Sequence, residues 1–547
     1  MTARPMGARS LMPAVVRTEK TTSTRSFRAR GVRRSFVSSL LALLLLGSPA
    51  TAETRIRLED SKPDFTLNKN IYGQFAEHLG RGIYGGIWVG EHSSIPNTHG
   101  LRNDVLRALK DLRVPVVRWP GGCFADQYHW KDGIGPRDQR KKTVNASWGG
   151  VVEDNAFGTH EFFDLVEQLG ADAYVSINVG TGSPQEMAEW VEYMTSDAKG
   201  TLANLRRANG REKPWRLHYL GIGNETWGCG GSMTPEYYTS VYKHFATFIK
   251  TPQDNKPVVI ASGGRNKETN WTQYLLEHVK ESWTLRLDGI SHHYYTIPTG
   301  QWDHKGSALG FPEQQWFSTL FRTLEIRGIL ANNVRVLNQL DAAKKVGFVL
   351  DEWGTWYDSA EGGSQSNLYQ QNTLRDAVLA ALNFNVFHEF GDRLRMTNIA
   401  QMINVLQAMI LTDGERMLLT PTYHAFHLYR PFQGARHVPV SVRGAADYRQ
   451  GAQSIPKISA TAALGSDGKL YVGLVNTHPR DAEQVHIDRS SPISKASGRM
   501  LTGDSLDAHN TFAEPNRVRP TTVELTGSKG GVDVTLPPRS ILVLALE

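Results

Sequence analysis

Between about residues 70 and 430, short apolar and β-branched runs alternate with stretches whose apolar positions recur at helical spacing. That alternation predicts repeated βα units, hence an α/β fold with a parallel sheet. The strand candidates are Ile71–Phe75, Pro115–Arg118, Ala173–Val179, Leu217–Gly223, Val258–Ser262, Gly289–His292, Phe348–Leu350 and Arg395–Ala400. Eight parallel strands are the number that closes a TIM barrel. Helix starts are written between them. Ser183-Pro184-Gln185-Glu186 combines an N-cap, a first-turn proline and a capping-box glutamate, and Thr234-Pro235 repeats the cap and proline. From Thr159, Phe162, Leu165, Val166 and Leu169 share one helical face, and Gly170 supplies a stop. Beyond about residue 433 the period changes. Ile458–Leu464, the turn Gly465-Ser466-Asp467-Gly468 and Lys469–Val475 predict a β-hairpin, and the chain ends in the apolar run 540–546 with no helical pattern between. This predicts a C-terminal all-β sandwich.

Charge adds a targeting question. The 547 residues carry 61 Lys+Arg against 54 Asp+Glu, a formal +7. Residues 1–52 hold nine basic side chains, among them Arg33 and Arg34, against the single acid Glu19, so the rest has 52 basic and 53 acidic residues. The mature chain therefore offers no cation excess for a nucleic acid. The apolar run Leu40 to Leu46 and Ala50-Thr51-Ala52 resemble a signal peptide cleaved after Ala52. Arg33-Arg34-Ser35-Phe36-Val37 also fits a twin-arginine signal, and a misassigned start codon would leave a similar long basic segment. The apolar stretch is too short to span a bilayer of about 30 Å, so no membrane attachment is expected after processing. The expectation is an exported protein, periplasmic or extracellular. Thirteen Trp, all between Trp88 and Trp356, exclude a disordered chain and divide the barrel region from the Trp-free C-terminal module. That division argues against a lectin-like role for the module.

Polar chemistry gathers where apolar strands end. The strings are Gly73-Gln74-Phe75-Ala76-Glu77-His78, Arg118-Trp119-Pro120-Gly121-Gly122-Cys123, Gly223-Asn224-Glu225 and Leu350-Asp351-Glu352-Trp353. In a barrel these ends hold the reactive groups. Two carboxylates at facing strand ends are the equipment of a retaining glycosidase, and Glu225 with Glu352, 127 residues on, is the pair chosen. A loop cap or ion pair is the competing structural reading of each. His78, His218, His292 and His293 read as hydrogen-bonding histidines rather than a metal cluster, because neighbours on a strand face opposite ways and no carboxylate stands at ligand spacing. No metal or organic cofactor is expected. Trp88, Trp130, Trp148, Trp302 and Trp356 fall in loops and are candidates for stacking on sugar rings, whereas Trp190 and Trp283 suit helix packing.

The ordered set Gly73–Gly80 (GQFAEHLG), Arg118–Gly122 (RWPGG), Asp132–Pro136 (DGIGP), Gly223–Glu225 (GNE), His292–Tyr295 (HHYY), Asp351–Trp353 (DEW) and Ala400–Val405 (AQMINV) resembles glycoside hydrolase family 51, the α-L-arabinofuranosidases. The resemblance covers nearly the whole mature chain. It implies a (β/α)₈ barrel at 67–432, a jelly-roll-like sandwich at 433–547, and an N-terminal strand within 53–66 that pairs with the sandwich. It implies retaining, exo-acting removal of terminal arabinofuranosyl groups from arabinan, arabinoxylan and arabino-oligosaccharides, by a homo-oligomer. Glu225 is implied as acid/base and Glu352 as nucleophile. Glu77, Arg118, Cys123, Asn224, His292, Tyr294 and Gln401 are implied as substrate-binding, with Tyr294 donating a hydrogen bond to the nucleophile. Cys123 departs from a pattern in which many members carry Asn, which keeps an endo-acting glucanase or xylanase open as the alternative. A non-catalytic polysaccharide-binding protein would have lost a carboxylate, and both are present. Cys123 and Cys229, the only cysteines, sit on one rim, so a disulfide between them stands beside the reading of two buried thiols.

Overall fold

The computed structural model describes residues 54–60, 63–279, 285–359, 367–528 and 530–547. The proposed signal segment 1–52 and Trp283 lie outside these residues. Eight parallel strands close a barrel: Gly73–Phe75, Val116–Trp119, Asp172–Ile177, Tyr219–Ile222, Val258–Ala261, Gly289–Thr296, Gly347–Thr355 and Leu394–Ile399. The last pairs with the first through Asn398 opposite Gly73 and Ile399 opposite Gln74. The first strand is shorter than its apolar run suggested. Residues Lys69–Tyr72 form a 3₁₀ turn, capped by Asn68 accepting from the Asn70 N–H, so Ile71 is buried ahead of the strand rather than within it. The sixth and seventh strands run four and five residues beyond the sequence expectation, because their polar ends His293–Thr296 and Asp351–Thr355 continue the ladder.

Helix boundaries follow the local signals. Thr159–Leu169 is helical and stops at Gly170, whose φ of 68° is reached without strain only by glycine. Ser183 and Thr234 accept from the backbone N–H groups of Glu186 and Tyr237, opening the helices Pro184–Thr195 and Pro235–Thr247. The lower barrel interior is apolar: Val116, Tyr174, Ile260, Val349 and Met396 form one cluster. The opposite parity of the same strands, including Val117, Val175, Leu220, Val259 and Phe348, packs outward against the helices in the main core.

The C-terminal region is built on a six-stranded and a four-stranded sheet, with a separate hairpin of Asp447–Gln450 and Gln453–Pro456. Arg436–Val438, Ile458–Leu464, Leu470–Asn476, Ser540–Leu546, Lys495–Leu501 and Thr521–Thr526 form a six-stranded sheet. The four-stranded sheet contains Thr54–Leu58, antiparallel to Val440–Arg443 and parallel to Glu483–Asp488. In that first strand Ile56 and Leu58 face inward and join Val472, Leu474, Ile487 and Leu544 in a second core. Barrel and sandwich are hydrogen-bonded: Trp316 Nε1 donates to the Thr477 carbonyl at 2.9 Å, and Asn385 Nδ2 to Ser459 Oγ at 2.9 Å.

Candidate active site

At the carboxyl ends of the barrel strands Glu77, Cys123, Trp148, Asn224, Glu225, Tyr295, Glu352, Trp356 and Gln401 line one cleft. One carboxylate oxygen of Glu225, one of Glu352 and one imidazole nitrogen of His293 all lie within 4.8 Å of each other. Arg118, fully buried and stacked over the Phe75 ring, donates to Glu352 Oε1 at 2.8 Å and to Asn224 Oδ1 at 2.5 Å. With Oδ1 taken by Arg118, the Asn224 amide nitrogen lies 3.8 Å from Cys229 Sγ of the rim disulfide. Tyr295 donates to Glu352 Oε2 at 2.8 Å, so both oxygens of this carboxylate act as acceptors.

Glu77 accepts from the Phe124 N–H at 3.0 Å, from Trp148 Nε1 at 2.8 Å and from Gln401 Nε2 at 2.9 Å. The glycine pair of Arg118–Gly122 is required for this fit: at φ +138° a Cβ on Gly121 would stand 2.4 Å from Glu77 Cγ. Gln401 Oε1 is buried without a protein partner, an acceptor available to a sugar hydroxyl. Cys123 and Cys229 form a disulfide with Cα atoms 5.6 Å apart, joining the rim after the second strand to the rim after the fourth.

The charges in this cluster do not balance if all are ionised. Glu77, Glu225, Asp351 and Glu352 stand against Arg118 and His293, and a dry site disfavours the excess. Burial, and then the Glu352 charge, push Glu77 up to about 7. Burial also raises Glu225, against the hydrogen bond from His293. Asp351 is held below its usual range: Arg118 and then His293 outweigh the burial that opposes them. Burial alone would lower His293, but the carboxylates of Glu352 and Asp351 reverse it and raise the ring to about 10. The imidazolium donates from Nδ1 to Glu225 Oε1 at 2.9 Å and faces Asp351 Oδ1 from Nε2 at 3.0 Å. With a proton on each ring nitrogen, Glu225, His293 and Glu352 make an ion-paired network rather than a metal-ligand set.

Two of the sequence-assigned residues are misplaced by one position. His292 points outward, its Nε2 on the Asn266 carbonyl at 2.9 Å and its ring against Phe348. Tyr294 also points outward and donates to the Arg322 carbonyl at 2.5 Å. Successive residues on a strand face opposite sides, and His293 and Tyr295 take the inward places. Ile290 packs outward in the main core, which puts Ser291, His293 and Tyr295 inside; apolarity does not give this parity, because Ile260 and Val349 on neighbouring strands are apolar and face inward. Asp351 was missed for another reason. Opposite Ser291 and His293 stand Val349 and Glu352, so the register shifts and two consecutive carboxylates, Asp351 and Glu352, reach the interior. Among the loop tryptophans, Trp148 and Trp356 line the cleft and Trp302 meets Trp356 edge-on at 4.9 Å, whereas Trp88 and Trp130 are buried. His78 is structural, bonded to Glu153 at 3.2 Å and accepting from Trp119 Nε1 at 3.2 Å.

Comparison with known proteins supplies the class. Residues 108–307 match the α-L-arabinofuranosidase 1 domain and residues 351–540 the α-L-arabinofuranosidase C-terminal domain. An intracellular exo-α-L-arabinofuranosidase of Bacteroides ovatus is 47% identical over 510 residues, 93% of this chain and 98% of the relative. The crystal structure of the GH51 arabinofuranosidase from Xanthomonas axonopodis pv. citri superposes with a TM-score of 0.88 at 46% identity, covering 91% of this chain and all of that one. An arabinose complex of the Thermotoga maritima α-L-arabinofuranosidase gives 0.80 at 32% identity, covering 90% and 99%. The Bacteroides relative corrects the expectation of export: a protein aligned over nearly its whole length with this chain is an intracellular enzyme. A basic segment followed by an apolar run records composition, which does not by itself decide the compartment in which a folded enzyme works.

Proposed function

The chain belongs to glycoside hydrolase family 51, and on that premise we propose how its site performs the reaction of a retaining, exo-acting α-L-arabinofuranosidase on terminal arabinofuranosyl groups of arabinan, arabinoxylan and arabino-oligosaccharides. The observation that carries the reading is the pair Glu225 and Glu352, with carboxylate oxygens within 4.8 Å. Retaining enzymes hold their carboxyls about 5–5.5 Å apart, whereas inverting ones need roughly 6.5–9.5 Å to admit a water. Glu352, held by Arg118 and Tyr295, is the nucleophile. Glu225 is the acid/base. Its side chain is 18% exposed against 6% for Glu352, so it is the carboxyl that meets the leaving group. His293 occupies Oε1 of Glu225, which leaves Oε2 to carry the acid proton.

In the first step Glu352 attacks the anomeric carbon while Glu225 protonates the departing oxygen, giving a glycosyl ester. In the second, Glu225 takes a proton from water, whose oxygen attacks the anomeric carbon from the face the aglycone left, opposite the ester; the bond to Glu352 breaks, and arabinose leaves with its configuration retained. Asn224 Nδ2 donates to the 2-hydroxyl, while Glu77 and Gln401 accept from hydroxyls on the far side of the ring. Cys123 contributes a disulfide wall and no amide donor. We place the catalytic barrel at 67–432 and the sandwich at 433–547 together with the strand from 53–66. We further propose a homo-oligomer, supported by the family resemblance and tested by light scattering. No observation favours the endo-acting glucanase or xylanase alternative. Proton NMR of the first-formed anomer from an aryl α-L-arabinofuranoside tests the reaction: the α anomer is expected, and the β anomer would overturn retention.

A further inference from the structure

One buried carboxylate in the site has no part in these two steps. Asp351 lies under the catalytic pair, 2% exposed, and accepts from the Tyr174 hydroxyl at 2.9 Å through Oδ2. Its Oδ1 faces His293 Nε2 at 3.0 Å, and its Oδ2 is 3.6 Å from Arg118 Nε. Both cations that hold the catalytic carboxyls therefore rest on Asp351: Arg118 reaches Glu352, and His293 reaches Glu225 and, at 3.4 Å, Glu352.

We propose that Asp351 is a positioning residue for hydrolysis, a buried anion that keeps His293 doubly protonated between Glu225 and Glu352 and so fixes which oxygen of Glu225 carries the acid proton. The proposal rests on the reading of Glu225 and Glu352 given above. Its physical basis is the pairing at both ring nitrogens. A neutral imidazole would turn a lone pair toward one of two carboxylates, whereas an imidazolium presents a positive N–H to each. The surroundings favour the cation. Glu225 faces the ring from the loop after the fourth strand, and Asp351 and Glu352 face it from the seventh. His292 is its neighbour on its own strand and is pushed down to about 4 by burial. Arg265 joins the same strand edge through backbone, while its guanidinium lies over Trp227, whose ring meets His293 edge-on. The balance raises His293 to about 10, far above the ordinary 6.5. With Oε1 of Glu225 accepting from Nδ1–H, the carboxyl proton is confined to Oε2.

Asp351→Asn is the decisive variant, because its amide oxygen keeps an acceptor toward the ring N–H while the charge, and the second acceptor oxygen facing Tyr174 and Arg118, are lost. On an aryl α-L-arabinofuranoside, kcat is expected to fall about 100-fold with little change in KM, within the range that acid–base groups contribute. H293Q is expected to lose a similar factor, and D351N/H293Q to be no slower than H293Q alone; multiplying losses would overturn the coupling. The signature that a merely structural role would not move is the imidazole itself. In the ¹⁵N-histidine-labelled full chain, with the signal assigned by its loss in H293Q, His293 should keep both N–H protons past pH 9. Titration of wild-type His293 near its ordinary 6.5 would overturn the proposal, even if D351N does not fold. Wild-type release of arabinose alongside an unimpaired D351N would refute Asp351 alone. Absence of arabinofuranosidase activity in the wild type would refute the catalytic reading, with the histidine titration still judging the ion pair.

Discussion

The sandwich and the upper barrel use the same strand grammar for opposite ends. In the sandwich, inward positions are mainly apolar: Ile56 and Leu58 on the first strand, Val472 and Leu474 on another, meet in a dry core, and polar residues such as Thr54 and Asn476 take inward places only at strand ends. In the barrel the inward positions change character along each strand. Val116 and Val349 belong to the apolar lower layer, and two residues later on the same face stand Arg118 and Asp351. The centre of the sandwich face is satisfied by burial, with hydrogen bonds needed only by end residues such as Asn476. The barrel's upper face is satisfied only by a closed network of donors and acceptors, so loss of one member leaves a charge without its partner. Stability and chemistry are thus separable by height in the barrel, and the sandwich contributes to stability.

The sharpest way to break that comparison is to remove the nucleophile. Glu352→Ala is expected to lower kcat by at least about 10⁴-fold, with a melting temperature close to wild type. Arabinofuranoside turnover surviving that change would end the assignment. Next in size is the sandwich core. Leu544, 0% exposed, changed to Ala is expected to destabilise the fold by about 2–5 kcal/mol while the folded fraction keeps its kcat. Paired denaturation and kinetic measurements check this, and a matching fall in kcat would show that the two regions are not separable. The rim disulfide lies between these cases. It closes a loop with a sequence separation of 106, so its loss by Cys229→Ser should cost about 2–4 kcal/mol. Because Cys229 follows Glu225 by one turn of chain, KM should rise as well, which kinetics with and without reductant would reveal.

The smallest expected effect concerns Asp126, buried beside the rim and accepting from the Val179 and Gly180 N–H groups. Burial pushes it up to about 7 from 3.8, so the native state binds a proton that the unfolded state has already released. Stability should therefore fall as pH rises from about 4 to 7, and Asp126→Asn should flatten that slope in calorimetric scans. An unchanged slope would show that the upper barrel tolerates an ionised Asp126.

Much of the fold was legible along the chain. The helix from Thr159 to Gly170 and the proline-led caps at Ser183 and Thr234 are decided within a turn of backbone, and the structure places them at those residues. The eight strand candidates all fall on barrel strands, with ends moved by a few residues. Glu77, Arg118, Asn224, Glu225, Glu352 and Gln401 converge on one site. His292 and Tyr294 did not, because an apolar residue such as Ile290 can face either the helices or the apolar lower barrel, and only the fold assigns the inward places to His293 and Tyr295. Export was also read from local composition, and the intracellular Bacteroides relative corrects it.

What the sequence determined by itself was the period of each segment and the residue types that follow each apolar strand, because capping, turn formation and side-chain alternation act over a few residues. The tertiary structure alone decided how neighbouring strands are registered. The shift between the sixth and seventh strands turns both Asp351 and Glu352 inward, and ring closure brings Arg118 and Glu352 to 2.8 Å across 234 positions of sequence. Such pairings depend on hydrogen-bonded partners far along the chain, and no local pattern can state which residue a strand will meet.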